Sequence, residues 1–322
     1  MEIKTITTRD AADFVDHIRL SHAIWQMGNA DPNRQSREIW GFRGQQNTEW
    51  GLIPSAFRES GTTLGFKPDS GPPPLMTNKA AQKRLERFAV MDFVFFTDRI
   101  GLPVPGDGQH FRLPRRLIRA SEEQKDTWPV DFELETLALA QHHGVPTRLL
   151  DFSHNPIVAA YFACYGAWAE MGKPSIHTSH LNPRKLAVWA VHLPLIFSSA
   201  RKAWRKDAKP RIIMVTVPRA VNTFLHQQDG FFLVDLEADN ADYPPLEEAI
   251  ETIYLDLPES ERDKFSSDVV IKLELEWTFV PEVLNILWNE FFHGARLQPT
   301  YDKSVEALKD YRALNWCPPE EG

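Results

Sequence analysis

Between Glu133 and Tyr165 the chain reads ELETLALAQHHGVPTRLLDFSHNPIVAAYFACY, two helix-length apolar segments around a short polar centre. That centre, QHHGVPTRLLDFSHNP, crowds amide, imidazole, guanidinium, carboxylate and hydroxyl groups together. Such a cluster is costly to bury unless its groups satisfy one another or meet a ligand. Leu134, Leu137, Ala138 and Gln141 fall at helical spacing, and Gly144 is a natural stop. Val145-Pro146 then opens an extended run, with a short strand expected over Thr147 to Phe152. Ser153 or Asn155 can cap the next helix, Pro156 suits its first turn, and Ile157 to Tyr165 is apolar on most faces. The stretch therefore predicts helix, turn, buried strand, turn and buried helix.

A chain of 322 residues can bury a full core, as one large domain or two small ones. Its net charge of -8 argues against a non-specific nucleic-acid or acidic-membrane binder, which needs a dominant basic footprint. The local exception is Ala200 to Arg211, where Arg201, Lys202, Arg205, Lys206, Lys209 and Arg211 face only Asp207. A basic surface loop explains it; an anion or nucleic-acid contact is the sharper alternative. Cys164 and Cys317 give neither a disulfide framework nor a metal-ligand spacing. With no signal-type segment and no run of membrane-span length, a cytoplasmic protein is expected.

Elsewhere, helices are expected over Ala11 to Met27, capped by Asp10 and buried through Phe14, Val15 and Ile18, and over Lys79 to Thr97, Pro281 to Phe292 and Pro299 to Asn315. Strands are expected near residues 38–43, 147–152, 186–193, 212–217, 230–236 and 269–279. Asp242 to Glu261 reads as acidic and loop-rich, and Arg112 to Trp128 as charged surface. In Val269 to Phe279 the alternation assigns Lys272, Glu274 and Glu276 to a solvated face. Strands and helices mix without a regular βαβ rhythm, so the fold class is α+β, in a single domain over 1–322. A helical lead-in occupies 1–37, the core runs over 38–315, and a Gly/Pro-rich flexible insertion lies near 61–78.

Trp40-Gly41-Phe42-Arg43-Gly44-Gln45, with Trp50-Gly51-Leu52-Ile53-Pro54-Ser55 and Arg58, resembles the signature of the FRG domain family. Ala140 to Ser153, with Asn155-Pro156 and Ala159 to Ala163, is similar to that family's second block, and His226 to Phe232 matches a third more weakly. A more distant resemblance is to the ADP-ribosyltransferase superfamily. Its motif order is a strand ending in aromatic-Arg-Gly, then a hydroxyl-bearing strand followed by an Ala-rich helix. That resemblance implies split mixed and antiparallel sheets packed with helices, and NAD as substrate. It places Arg43 on the pyrophosphate, Ser153 in a bracing role and Gln228 at the nicotinamide ribose. Ser153 and His142 would shape the nicotinamide pocket, with Gly44, Gln45, Arg148 and Asp151 completing the cofactor-binding set. It implies a toxin or defence effector that transfers ADP-ribose to a protein or nucleic-acid acceptor or hydrolyses NAD, held in check by a neutralising partner protein, with no membrane association. A non-catalytic nucleotide- or protein-binding module is the alternative.

The chemistry asked of these residue types is coherent. A planar guanidinium suits bidentate phosphate contact. Cleaving a nicotinamide–ribose bond builds positive charge on the sugar, which an acidic or amide group stabilises. Gly44 beside Arg43 would let a ligand approach the backbone. Each residue also has a structural reading. Arg43 can tie a strand end to a carboxylate, and Arg148 with Asp151 can form a buried ion pair. One of His142 and His143 can cap a helix while the other serves as acid or base. The late group is Gln227 or Gln228, with Glu274 and Glu276 as the other candidates. His142, His143, Asp151 and His154 do not present a converging metal set, so no metal is expected. There is no nucleophile elbow and no phosphate-binding glycine loop.

Overall fold

A computed structural model describes residues 3–26, 39–58, 79–104, 129, 133–177, 181–216, 226–238, 244–265 and 268–317. The insertion expected near 61–78 and the charged stretch over 112–128 lie outside these residues. Seven strands form one mixed sheet: β1 (Lys4–Thr7), β2 (Trp40–Gln45), β3 (Leu150–Ser153), β4 (Lys185–His192), β5 (Ile212–Val215), β6 (Gly230–Asp235) and β7 (Val270–Glu276). Their order is β1-β7-β4-β2-β3-β6-β5. Only β1 and β7 run parallel among these pairings; the others are antiparallel. The main helices are α1 (Ala11–His17), α2 (Lys79–Arg99), α3 (Leu134–His142), α4 (Pro156–Glu170), α5 (Leu193–Arg205), α6 (Leu246–Leu255), α7 (Val280–Asn289) and α8 (Tyr301–Leu314). The fold is α+β.

Local chemistry sets the element ends. Asp10 accepts from the Asp13 amide at 2.8 Å and caps α1. Asn155 accepts from the Ile157 amide at 3.0 Å, and Pro156 opens α4 where no amide is needed. Gly144 closes α3 at φ 91°, a conformation a side chain would strain. β-branched and aromatic residues fill β4 and β6, which are buried on both faces.

The sheet is covered on both sides. Against α1, α4 and α7 it buries Trp40, Phe42, Val188, Ala190, Leu273 and Leu275. The opposite face buries Trp189, Val191, Phe231 and Leu233 with α5 and α6. At the β6 end, Phe232 and Val234 pack with α2 and α3.

Four local readings are corrected. The N-terminal strand β1 was not foreseen; it adds to β7 and makes that strand internal. Glu274 is consequently buried rather than solvated, accepting from Thr7 Oγ1 at 3.1 Å, Thr48 Oγ1 at 2.5 Å and Lys185 Nζ at 3.1 Å. The acidic stretch expected as loop contains α6, whose Leu246, Ala249 and Ile250 reach the core. The basic stretch begins within α5, not in a loop.

Arg148 does not pair with Asp151. It is fully buried on Glu86, with the backbone amide to Oε1 at 2.6 Å and Nε to Oε2 at 2.8 Å, and its Nη1 donates to the Ala238 carbonyl at 3.1 Å. This clamp ties α2 to the approach of β3. Removing the acid leaves a buried cation, so Glu86→Ala is expected to destabilise by about 3–5 kcal/mol. Chemical denaturation measures it; a loss under about 1 kcal/mol would deny Glu86 that role.

Candidate functional site

β2 bonds to β4 through six residue pairs, Trp40↔His192 to Gln45↔Ala187. Its other neighbour, β3, meets it at one pair, Phe42↔Ser153, although β3 bonds to β6 through four. The two strands therefore part just where the arginine of the first motif stands. Gly44 explains why β2 follows its own path, since a Cβ there would drive into the Ala159 carbonyl oxygen of α4. Gly44 thus has a packing role, distinct from an opening for ligand.

Arg43 bridges the parting. Its Nη1 donates to the Asp151 carbonyl at 2.8 Å and to Asp151 Oδ2 at 2.6 Å. Nε is buried and has no hydrogen-bond partner among the described residues. Asp151 also accepts from Gln141 Nε2 at 3.3 Å. Gln141 Oε1 in turn accepts from Thr147 N at 3.1 Å, Thr147 Oγ1 at 2.9 Å and Ser55 Oγ at 3.2 Å. The end of α3, the turn after Gly144, the segment after β2 and the start of β3 are thereby joined in one polar network.

Charge in the network is unbalanced. Arg58, held by Nε to the Ile53 carbonyl at 3.0 Å, lies close enough for its pKa to be lowered by burial and then by the Arg43 charge, with Asp151 opposing. Two guanidiniums thus face the Asp151 carboxylate. The Asp151 side chain is 60% exposed; partial desolvation pushes its pKa up, but the Arg43 charge and hydrogen bond, helped by Gln141, outweigh it and leave it below the ordinary value. Burial, then the neighbouring His143, lower the His142 pKa against the pull of Asp151. At neutral pH Asp151 is therefore an anion and His142 a neutral imidazole.

The remaining expected site residues stand apart from this network. Ser153 shares its strand phase with Phe42, and Arg43, one residue on, points the other way along the pleat. The Ser153 hydroxyl donates to the Gln228 carbonyl at 2.6 Å and accepts from the Asn155 amide at 2.9 Å. Gln228 Nε2 reaches the Leu297 carbonyl at 3.5 Å. Gln45 is buried, accepting from Trp189 Nε1 at 2.9 Å and donating to the Gly51 carbonyl at 3.1 Å. The structure thus gathers Arg43 and Asp151 with His142 nearby, holds Ser153 with Gln228, and places Arg148 on Glu86. Four members of the network, Ser55, Arg58, Gln141 and Thr147, have no role in the sequence reading. All lie inside the two quoted motifs, but nothing in one sequence shows that those motifs meet.

Residues 38–170 match the FRG domain. This chain carries an FRG domain. Both strands of the parting, the Arg43–Asp151 bridge and the Gln141 network fall inside the matched span. No curated protein and no solved structure matches the chain. Among the described residues no cluster of three or more metal-ligating side chains occurs, and no helix is long and apolar enough to cross a membrane. β1 and β4 to β7, outside the matched span, complete the sheet that carries the FRG domain's strands.

The pH dependence of the bridge follows from its sign. Because the folded Asp151 pKa is depressed, its stabilisation is present above the ordinary aspartate range and is lost as pH falls through the folded value. The melting temperature of wild type should exceed that of Asp151→Asn at neutral pH, and the gap should close in acid. A gap independent of pH would contradict an ionised bridge.

Proposed function

We propose that this FRG domain protein is an NAD-using enzyme that cleaves the nicotinamide–ribose bond, as a glycohydrolase or an ADP-ribosyltransferase. The observation that supports this reading most is the state of Arg43. Only Nη1 is engaged by Asp151 while Nε has no partner among the described residues, so this guanidinium keeps donor capacity beside a second one, Arg58. A guanidinium with donors to spare suits a phosphate, and two close together suit a pyrophosphate.

The chemistry then follows from the neighbours. With the pyrophosphate on Arg43 and Arg58, the ribose lies towards Asp151. The C1′–N bond breaks with its electron pair passing to the nicotinamide ring nitrogen, which becomes neutral. The ionised Asp151 carboxylate offsets the positive charge developing on the sugar. Water, or an acceptor hydroxyl or amide, adds at C1′ and gives up its proton, for which neutral His142 is the base in this reading. Ser153 and Gln228 hold the end of β3 and so position Asp151 two residues earlier. A toxin or defence role, with a protein or nucleic-acid acceptor and a neutralising partner, is the cellular setting of such an activity.

The test is release of nicotinamide from NAD, with and without cell extract. Arg43→Ala should lower kcat/KM by a factor of about 100 or more, as expected for one lost charge-assisted contact of about 3 kcal/mol. Asp151→Asn should lower kcat more than it raises KM. NAD binding without release under either condition would favour a nucleotide-binding module, and no binding at all would sink both readings.

A further inference from the structure

The last long helix, α8, uses only one of its faces within the chain. Ala307, Asp310 and Leu314 are buried, and Tyr165 of α4 donates from its hydroxyl to Glu306 at 2.8 Å and Asp310 at 3.0 Å. Lys173 closes on Asp310 at 2.5 Å, and Thr300 caps the start by accepting from the Lys303 amide at 3.1 Å. These contacts fix the helix in place and in rotation.

The outer face is unusual for a solvated helix. Tyr301 is 95% exposed, Val305 54% and Leu308 50%. At about 100° per residue these three and Arg312 fall within roughly 40° of one line along the helix. Tyr311, Trp316 and Phe291 extend the exposed apolar surface on its borders. Single exposed apolar residues need no explanation, but a stripe at i, i+4, i+7 and i+11 is the pattern of a helix that meets another helix.

We infer that α8 pairs antiparallel with α8 of a second copy of this chain. The stripe is complementary to itself in that direction. Setting Val305 against Leu308 of the second copy brings Tyr301 opposite Arg312, an aromatic ring against a guanidinium. Asp302 and Lys309 lie on the same flank, about 80–100° from the stripe, and the dyad brings each to within about 3 Å of the other along the axis. Asp302, Lys309 and Arg312 have no ion-pair partner among the described residues, whereas Lys303 already pairs with Glu306 at 2.7 Å. A parallel pairing would instead set Arg312, on the stripe itself, against Arg312 of the second copy. One helix about 21 Å long gives a small interface, so the dimer forms at micromolar rather than nanomolar concentration.

Sedimentation of the full chain over a concentration series tests this, with circular dichroism as the check on folding. Wild type should pass from monomer to dimer, and Leu308→Asp should stay monomeric with an unchanged spectrum. Asp302→Lys should weaken dimerisation by about tenfold, and the double variant Asp302→Lys/Lys309→Asp should restore it, because the exchange regenerates the pair across the dyad. A wild type that stays monomeric at its highest soluble concentration would overturn the proposal. So would a dimer that survives Leu308→Asp, or a double variant no better than the single one; the last would deny the antiparallel register.

Discussion

Where β2 and β3 part beyond the Phe42↔Ser153 pair, backbone gives way to a side chain. Arg43 Nη1 reaches the Asp151 carbonyl and carboxylate together and ties the two strands that the ladder no longer joins. Gly44 makes the parting possible by letting β2 press onto α4 at Ala159. Gln141 makes the far side rigid, because its amide holds Asp151 on one side and Thr147 and Ser55 on the other. Separated strands would otherwise leave polar groups unsatisfied. Here residues of the two FRG motifs meet them, Arg43 Nε excepted, which is why those motifs, far apart in sequence, are one structural unit.

The arrangement is poised between structure and ligand binding. A guanidinium spent on all its donors would be a brace and nothing more. Arg43 spends one nitrogen on Asp151 while Nε stays buried and unpaired, a state that costs free energy unless something else accepts from it. The nearby Arg58 adds charge that Asp151 cannot balance alone. Desolvation strengthens both effects, since charges in a partly buried crevice are screened less than charges on the surface.

Much of this was legible before coordinates. The helix–strand–helix course through 134–170 follows from Gly144, Asn155 and Pro156, each acting on neighbours within a few residues. What was not legible depends on contacts across long sequence separations. Glu274 looked solvated because alternation reports which way a side chain points, not whether another strand covers that face, and β1 covers it. Arg148 and Asp151 looked like mutual partners because they are close in sequence. Their partners are Glu86 and Arg43, 62 and 108 residues away. Ser153 offered a hydroxyl of the right type, but its position opposite Phe42 commits that hydroxyl to a backbone carbonyl.

Whether the Arg43 guanidinium takes an oxyanion is read from its Nε–H proton, which senses a change of charge anywhere on the planar group. In protein labelled with nitrogen-15 at arginine, that signal is assigned by its loss in Arg43→Lys, and inorganic pyrophosphate is then titrated. The expected result is a saturable shift of the Arg43 signal, with Arg58 following, while the Arg148 signal stays still on Glu86. If pyrophosphate and NAD both leave the Arg43 signal unmoved up to millimolar concentration, the guanidinium is a brace between two strands and the proposed chemistry has no place to bind its substrate.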